Sequence, residues 1–111
     1  MGDFQDLIQK TRELEAKFPN RYDTRDHFMD LVEEVGELSQ ALQISSGRKT
    51  TTVVAKQRMQ EDVVDALCDV LFELIRLSDK LGVDLEAEYL NVLNHIHDRI
   101  ERGEFDVQKK G

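Results

Sequence analysis

Four carboxylates lie within one short stretch that the hydrophobic pattern predicts to be helical, and their spacing places them on one side of it. They are Asp30, Glu33, Glu34 and Glu37. Like charges three or four residues apart destabilise a helix by roughly 0.2–0.5 kcal/mol per pair. Gly36, in the middle of the same helix, costs about another 1 kcal/mol relative to Ala. A bound divalent cation would offset both penalties, whereas a solvated acidic surface is the simpler explanation for acids on one helix alone.

A second acidic strip, formed by Asp62, Asp65 and Asp69, changes that balance. These residues are spaced i, i+3 and i+7, so they share one face of a second helix. Each helix carries its acids beside an apolar stripe, so the two helices can pack with the acids converging at the edge of the core. Hard oxygen ligands of this kind suit Mg²⁺ or Mn²⁺. The stripes are Phe28, Leu31, Val32, Val35, Leu38 and Leu42, and Val63, Val64, Leu67, Val70, Leu71, Leu74 and Ile75.

Hydrophobic periodicity predicts an all-α fold of four helices, with no strand-like alternation. We expect one domain over residues 1–111, with a core of about 3–103 and a frayed tail at 104–111. The apolar arc of the third helix is wider than one neighbour would cover, which predicts burial against another subunit. The first predicted helix spans 3–18 and ends at Pro19, and the second starts with Thr24 or Asp26 as N-cap and ends near Ser45. The third runs from about Thr52 to Leu81, and the fourth lies between Asp84 and Gly103.

Composition restricts the classes of partner. The net charge of −8 argues against a nucleic-acid polymer as partner, and it would repel a free triphosphate unless a bound cation offset the field. The single Cys68 cannot form an intrachain disulfide, which fits a reducing compartment, and we expect it to be a small core residue. We find neither a signal peptide nor an apolar run of membrane-spanning length, so the sequence predicts a cytoplasmic protein without a membrane partner.

Other kinds of site lack their residues in this sequence. There is no glycine-rich phosphate loop of the Walker or dinucleotide type. A zinc site would need Cys and His clusters, whereas the chain has one Cys and three scattered His. Di-iron bundles use Glu-x-x-His on facing helices, and no acid in this chain is followed by His at that spacing.

The acidic motifs resemble those of a known family. Glu33-Glu34-x-x-Glu37, followed after a gap by the segment from Asp65 to Asp69 and by Leu-Gly-Val-Asp-Leu at 81–85, is similar to the MazG-type nucleoside triphosphate pyrophosphohydrolases. These enzymes belong to the all-α NTP pyrophosphatase superfamily, and the resemblance covers about residues 27–102. It implies a four-helix MazG-like bundle completed by oligomerisation, as a homodimer or a dimer of dimers.

The resemblance also implies an activity and a set of site residues. The family hydrolyses the bond between the α- and β-phosphates of a nucleoside triphosphate with Mg²⁺ or Mn²⁺, releasing a monophosphate and pyrophosphate. Glu34, Glu37 and Asp69 match family metal ligands. Glu33 matches an additional acid that is a candidate to orient or deprotonate the attacking water.

One departure from the family pattern concerns the second acidic motif. That motif is usually Glu-x-x-Asp, and its Glu position falls on Ala66 in this chain. Asp65, four residues before Asp69 and on the same helical face, can supply the missing oxygen, and Asp62 is the other possibility.

Substrate contacts are assigned by chemistry alone. The loop at 46–52, which carries two cations, is either an ordinary surface loop or a mobile lid over a phosphate. The candidate substrate contacts are Arg48, Lys49 and Arg102 as cations for the phosphates, Asn91 and Asn94 as neutral donors, and Phe18, Tyr22 and His27 beside the base.

Two alternatives to the main function stay open: an enzyme like phosphoribosyl-ATP pyrophosphohydrolase, and a non-catalytic helical dimer used for protein contacts.

Overall fold

The structure, a computed structural model, describes residues 3–19, 22–45 and 53–105; of residues 45 and 53–61 it describes the backbone alone. Four helices account for most of these residues, and the described ranges contain no strand. The prediction of an all-α fold with four helices is therefore confirmed for this part of the chain. The helices are α1 (Phe4–Glu15), α2 (Thr24–Ser45), α3 (Val53–Lys80) and α4 (Leu85–Glu101).

Aspartate side chains begin three of the helices. The carboxylates of Asp3 and Asp84 accept hydrogen bonds from backbone N–H groups in the first turns of α1 and α4, so Asp84 is an N-cap as predicted. At α2 the cap is Asp23, and the prediction of Thr24 or Asp26 was wrong. The Asp23 carboxylate accepts from the Asp26 N–H at 2.9 Å, and the Asp26 carboxylate accepts from the Asp23 N–H at 3.0 Å. This reciprocal capping box fixes the first turn of α2.

Glycines end α3 and α4 where the sequence predicted that they would. Gly82 and Gly103 have φ angles of +72° and +76°, a left-handed conformation that favours glycine. The turn after α3 is closed by a hydrogen bond of 2.9 Å from the Val83 N–H to the Ser78 carbonyl. Because this geometry reverses the chain direction, only four residues separate the end of α3 from the start of α4.

The described chain continues past the predicted core boundary at residue 103. Glu104 accepts hydrogen bonds from the guanidinium groups of Arg99 and Arg102. The Arg99 guanidinium carbon also lies 4.8 Å from the centre of the Phe105 ring. The remainder of the predicted tail, residues 106–111, lies outside the described residues.

The main packing interface lies between α2 and α3. The other two helices also pack on α3, α1 more extensively than α4. The buried hydrophobic side chains are Ile8, Ala41, Ala66 and Ile75. Three ionisable side chains are buried with them: His27, Glu73 and Arg76. The described core is therefore small, and nearly half of its buried positions are polar.

The predicted apolar stripes are only partly covered in this fold. On α2, Leu31 and Leu38 are half-buried, but the other four members of the stripe are exposed. On α3, Ile75 is buried, whereas Val64, Leu67, Leu71 and Leu74 are exposed. Small residues explain the difference, because Ala41 and Ala66 allow the backbones to approach on the faces that also carry Glu34 and Glu73. The exposed members are Phe28, Val32, Val35 and Leu42 on α2, together with the four on α3.

Cys68 is also exposed, so its prediction as a small core residue was wrong. It lies on α3 next to Leu67, on the part of the helix that α2 does not cover. None of the described helices combines the length and the apolar character that a membrane span requires.

Candidate functional site

Carboxylates from α2 and α3 meet at the interface between the two helices. Glu34 and Glu37 lie one turn apart on α2, and the charges of Asp69 and Glu73 on α3 act on Glu34 from the other side. We refer to these four residues as the acidic cluster. One oxygen of Glu34, Oε2, is buried and has no hydrogen-bond partner among the described residues. Three members of the acidic cluster, Glu34, Glu37 and Asp69, were named as site residues from the sequence, and the fourth was not.

The Glu34 carboxyl has an altered acidity. Its pKa is raised from 4.5 to about 7, chiefly because burial disfavours the charged form. The negative charge of Glu37 adds to the shift, as does a hydrogen bond between the two carboxyls that requires one of them to carry a proton. Asp69 and Glu73 contribute further repulsion. A cation placed among these groups would remove this repulsion.

Glu73 is the residue of the cluster that the sequence analysis missed. It is only 6% exposed, its Oε1 accepts a hydrogen bond of 2.8 Å from Arg76 Nη1, and its Oε2 has no partner in the described part of the chain. Burial raises its pKa, while the positive charge of Arg76 acts in the opposite direction. One signal in the sequence points to it, since Glu73 follows Asp69 by four residues and therefore lies on the same helical face.

Arg76 anchors this end of the interface. It is 5% exposed, and its guanidinium binds carboxylates on both sides. Besides the bond to Glu73, its Nε donates to Glu15 Oε2 at 2.8 Å, which ties the end of α1 to α3. The guanidinium carbon also lies 5.0–5.5 Å from three ring centres, close enough for cation–π attraction. These rings belong to Phe18, Tyr22 and Phe72.

His27 lies beside the same anchor and is 1% exposed. Its Nε2 is 3.3 Å from Glu15 Oε1, and its Nδ1 has no hydrogen-bond partner within the described ranges. The Tyr22 ring meets the imidazole edge-on at 5.8 Å. Phe18, Tyr22 and His27, which the sequence suggested for a nucleobase, are thus grouped around the Arg76–Glu15 ion pair.

The remaining predicted site residues are not members of the acidic cluster as defined above, or they lie outside the described residues. Glu33 is exposed on α2, and Asp62 and Asp65 are exposed on the half of α3 nearer its start. Among the described side chains, no hydrogen bond or ion pair joins Asn91, Asn94 or Arg102 of α4 to the cluster. Arg102 instead donates to Glu104 at 2.8 Å. Arg48 and Lys49 lie outside the described residues.

The donors of the acidic cluster fit a hard divalent cation, since all of them are carboxylate oxygens and two of them are buried without a partner in the described part of the chain. The positions of the side chains are not yet those of a coordination site. Within residues 3–19, 22–45 and 53–105, no group of three or more His, Cys, Asp or Glu side chains is arranged to hold an ion. Ion binding at this cluster would therefore require a change of side-chain rotamers and loss of the proton between Glu34 and Glu37.

Comparison with known proteins adds no relative to this description. No family model matches the chain, and no curated protein and no solved structure matches it either.

Proposed function

We propose that this protein is a metal-dependent nucleotide pyrophosphohydrolase that cleaves the bond between the α- and β-phosphates of a (deoxy)nucleoside triphosphate. The observation that carries the proposal is the acidic cluster, where Glu34 Oε2 is buried without a partner among the described residues and three further carboxylates act on it. The similarity of Glu33-Glu34-x-x-Glu37 and Asp69 to the motifs of MazG-type enzymes supports the same activity.

Each acid has a role in this proposal. Glu34, Glu37, Asp65 and Asp69 hold Mg²⁺, or Mn²⁺ in its place. When bound, the ion neutralises the triphosphate and favours attack of water on phosphorus. Glu33, which is exposed beside Glu34, accepts a proton from the attacking water. The water oxygen bonds to the α-phosphorus as the bond to the β-phosphate oxygen breaks, so that a monophosphate, pyrophosphate and one proton are released.

The phosphates need further positive charge, because the chain has a net charge of −8. We assign this role to Arg48, Lys49 and Arg102, with Asn91 and Asn94 as neutral donors. Arg102 must leave Glu104, with which it is paired in this structure, to reach a phosphate. The enzyme works in the cytoplasm as a homodimer or a dimer of dimers, and it needs neither a nucleic-acid polymer nor a membrane.

The proposal is tested with a panel of ribo- and deoxynucleoside triphosphates, incubated with Mg²⁺, with Mn²⁺ or with EDTA. We expect stoichiometric release of pyrophosphate and the monophosphate from at least one member, and none in EDTA. Release of inorganic phosphate without pyrophosphate would contradict cleavage between the α- and β-phosphates. No turnover of any member with either ion would contradict the proposed enzyme.

Two alternatives are distinguished by the same panel when phosphoribosyl-ATP is included. Cleavage of that compound alone would identify a phosphoribosyl-ATP pyrophosphohydrolase. The second alternative, a non-catalytic helical dimer, is favoured by the missing three-ligand group in the described part of the chain and by the exposed apolar residues of α2, α3 and α4. It predicts dimerisation without any turnover and without metal binding.

The assignment of Asp65 is tested by comparing Asp65→Asn with Asp62→Asn. If Asp65 is a metal ligand, its amide variant should lose at least about 100-fold in activity, because the ion provides several kcal/mol of transition-state stabilisation. Asp62 lies about one turn away and should matter much less. Both side chains are exposed, so neither change should lower the melting temperature. Equal, mild effects would contradict the role of Asp65, and a severe loss only in Asp62→Asn would move the site one turn along α3.

A further inference from the structure

Glu73 has a geometry that a purely structural ion pair does not require. It lies one turn along α3 from Asp69, so both side chains leave the same face of the helix. The residue is more than nine-tenths buried, yet Arg76 engages only its Oε1, and Oε2 has no partner among the described residues. A buried carboxylate oxygen without a hydrogen bond is unfavourable, because its desolvation is not compensated. Some other interaction at Oε2 would compensate for that loss.

The second unpartnered carboxylate oxygen lies across the same helix interface. Glu34 Oε2 is buried and unpartnered like Glu73 Oε2, and the negative charges of the two residues act on each other. Asp30, one turn before Glu34 on α2, also acts on Glu73. Two orphaned oxygens from opposite helices thus belong to one negatively charged region, and a shared cation would compensate both once the side chains move into a coordinating arrangement.

Arg76 holds the Glu73 carboxylate in one orientation. Its guanidinium is fixed by Glu15 on the far side and by the three aromatic rings around it, so it cannot easily follow Glu73 into another rotamer. With Oε1 bound to Arg76, only Oε2 is available to a ligand. Metal-binding carboxylates are commonly oriented in this way by a hydrogen bond to the oxygen or group that does not face the ion.

We propose that Glu73, through its Oε2 atom, is a further ligand of the divalent cation at the acidic cluster, and that Arg76 is the residue that positions it. This inference rests on the proposed function, because it assigns one more residue to the same metal site. With Glu73 as a ligand, the metal site is centred closer to Glu73 and farther from the start of α3, where Asp62 and Asp65 lie.

The test compares two substitutions that each remove one carboxylate from Arg76. Glu73→Gln and Glu15→Gln are close in shape to the natural residues, and each leaves Arg76 with one charged partner. Binding of Mn²⁺ to the full chain is measured by electron paramagnetic resonance, without nucleotide. We expect Glu73→Gln to weaken Mn²⁺ binding at least about 10-fold, because loss of a ligand should cost no less than loss of a residue that only orients one, which costs roughly 10–100-fold. Glu15→Gln keeps an amide oxygen that can accept from Arg76 Nε and so hold the guanidinium in place, and this variant should bind Mn²⁺ as the wild type does.

Melting curves in EDTA show whether each variant is folded without metal. Both variants lose one ion pair of Arg76, so a difference in Mn²⁺ affinity between two folded variants cannot be attributed to that loss. If Glu73→Gln does not fold, Glu73→Asp keeps the charge for Arg76 but withdraws the carboxylate by one methylene, and it too should weaken Mn²⁺ binding. Wild-type affinity in a folded Glu73 variant, with affinity lost in Glu34→Gln, would overturn the role of Glu73 and leave the proposed function standing. Absence of Mn²⁺ binding to the wild type would overturn both.

Discussion

Replacing Glu34 by Gln is expected to lower pyrophosphate release by at least about 100-fold, because the variant loses a metal ligand and several kcal/mol of transition-state stabilisation depend on the ion. The same change is expected to stabilise the protein in EDTA. Glutamine keeps the size of the side chain but has no charge, so it removes the repulsion from Glu37, Asp69 and Glu73 that acts on the buried carboxyl. Loss of activity combined with a gain in metal-free stability is the signature of a functional carboxylate held in an unfavourable place.

The pH dependence of stability provides a second measurement on the same pair of proteins. The pKa of Glu34 is raised from 4.5 to about 7 on folding, so between these values the folded state binds its proton more tightly than the unfolded state. The contribution of this group is fully present below pH 4.5 and is lost as the pH rises through about 7. In EDTA, the melting temperature of the wild type should therefore fall relative to that of Glu34→Gln across this window.

Excess Mg²⁺ should reduce or reverse that difference above pH 7. A ligand that binds only the folded state stabilises it by RT ln(1 + [L]/Kd), and Glu34→Gln should gain little of this stabilisation. Glu33→Gln is the matched control on the next residue, where the side chain is exposed. It should lower activity and leave both the pH profile and the Mg²⁺-dependent rise in melting temperature unchanged. Full activity in Glu34→Gln, or a metal-free profile parallel to that of the wild type, would contradict the assignment.

The helices could be predicted from the sequence because the signals for their ends are local. Gly82 and Asp84 are separated by a single residue and close a turn through their own backbone and side-chain atoms, so periodicity and residue type were sufficient. The cap of α2 shows the limit of this approach. Thr24 and Asp26 are both good capping residues, and only the reciprocal bonds between Asp23 and Asp26 show which residue begins the helix.

The acidic cluster could be predicted only in part, because its members come from two helices whose packing is not a local property of the sequence. Spacing placed Glu34, Glu37 and Asp69 on suitable faces, but it could not determine which faces of α2 and α3 meet. Glu73 lies between apolar residues of α3, and a charged side chain in such a sequence is predicted to be exposed. It became buried because Arg76, fixed from α1 by Glu15, supplies a partner from the same helix. That pairing depends on how α1 packs on α3, and no local pattern in the sequence encodes it.

The orientation of α2 and α3 has a consequence for the surface of the single chain. The apolar residues predicted to form the core are largely exposed, and α4 contains no buried residue at all among those described. A groove of about 760 Å³ runs between α3 and α4 and is almost entirely apolar. Apolar surface of this extent on a small chain is typical of an interface, so we expect a homodimer whose helices complete one bundle. The groove is lined by Phe4, Leu71, Leu74, Leu85, Glu86, Tyr89, Leu90 and Leu93.

Replacing Leu93 by Asp tests this expectation most directly. Leu93 is 44% exposed in the single chain, so a carboxylate there remains hydrated in a monomer, whereas an interface would bury it without a partner. Burying an unpaired charge costs several kcal/mol, which should raise the dissociation constant of the dimer at least about 100-fold. Light scattering at micromolar concentration should give a dimeric mass for the wild type and a monomeric mass for Leu93→Asp.

His95→Asp introduces the same charge on the polar side of α4 and should remain dimeric. The melting temperature should follow the same order, because the described core of a single chain contains only four buried hydrophobic residues and association must supply much of the stability. A monomeric mass for the wild type would contradict the dimer. Equal behaviour of Leu93→Asp and His95→Asp would place the interface away from α4, on the exposed apolar face of α2 that includes Phe28 and Val32.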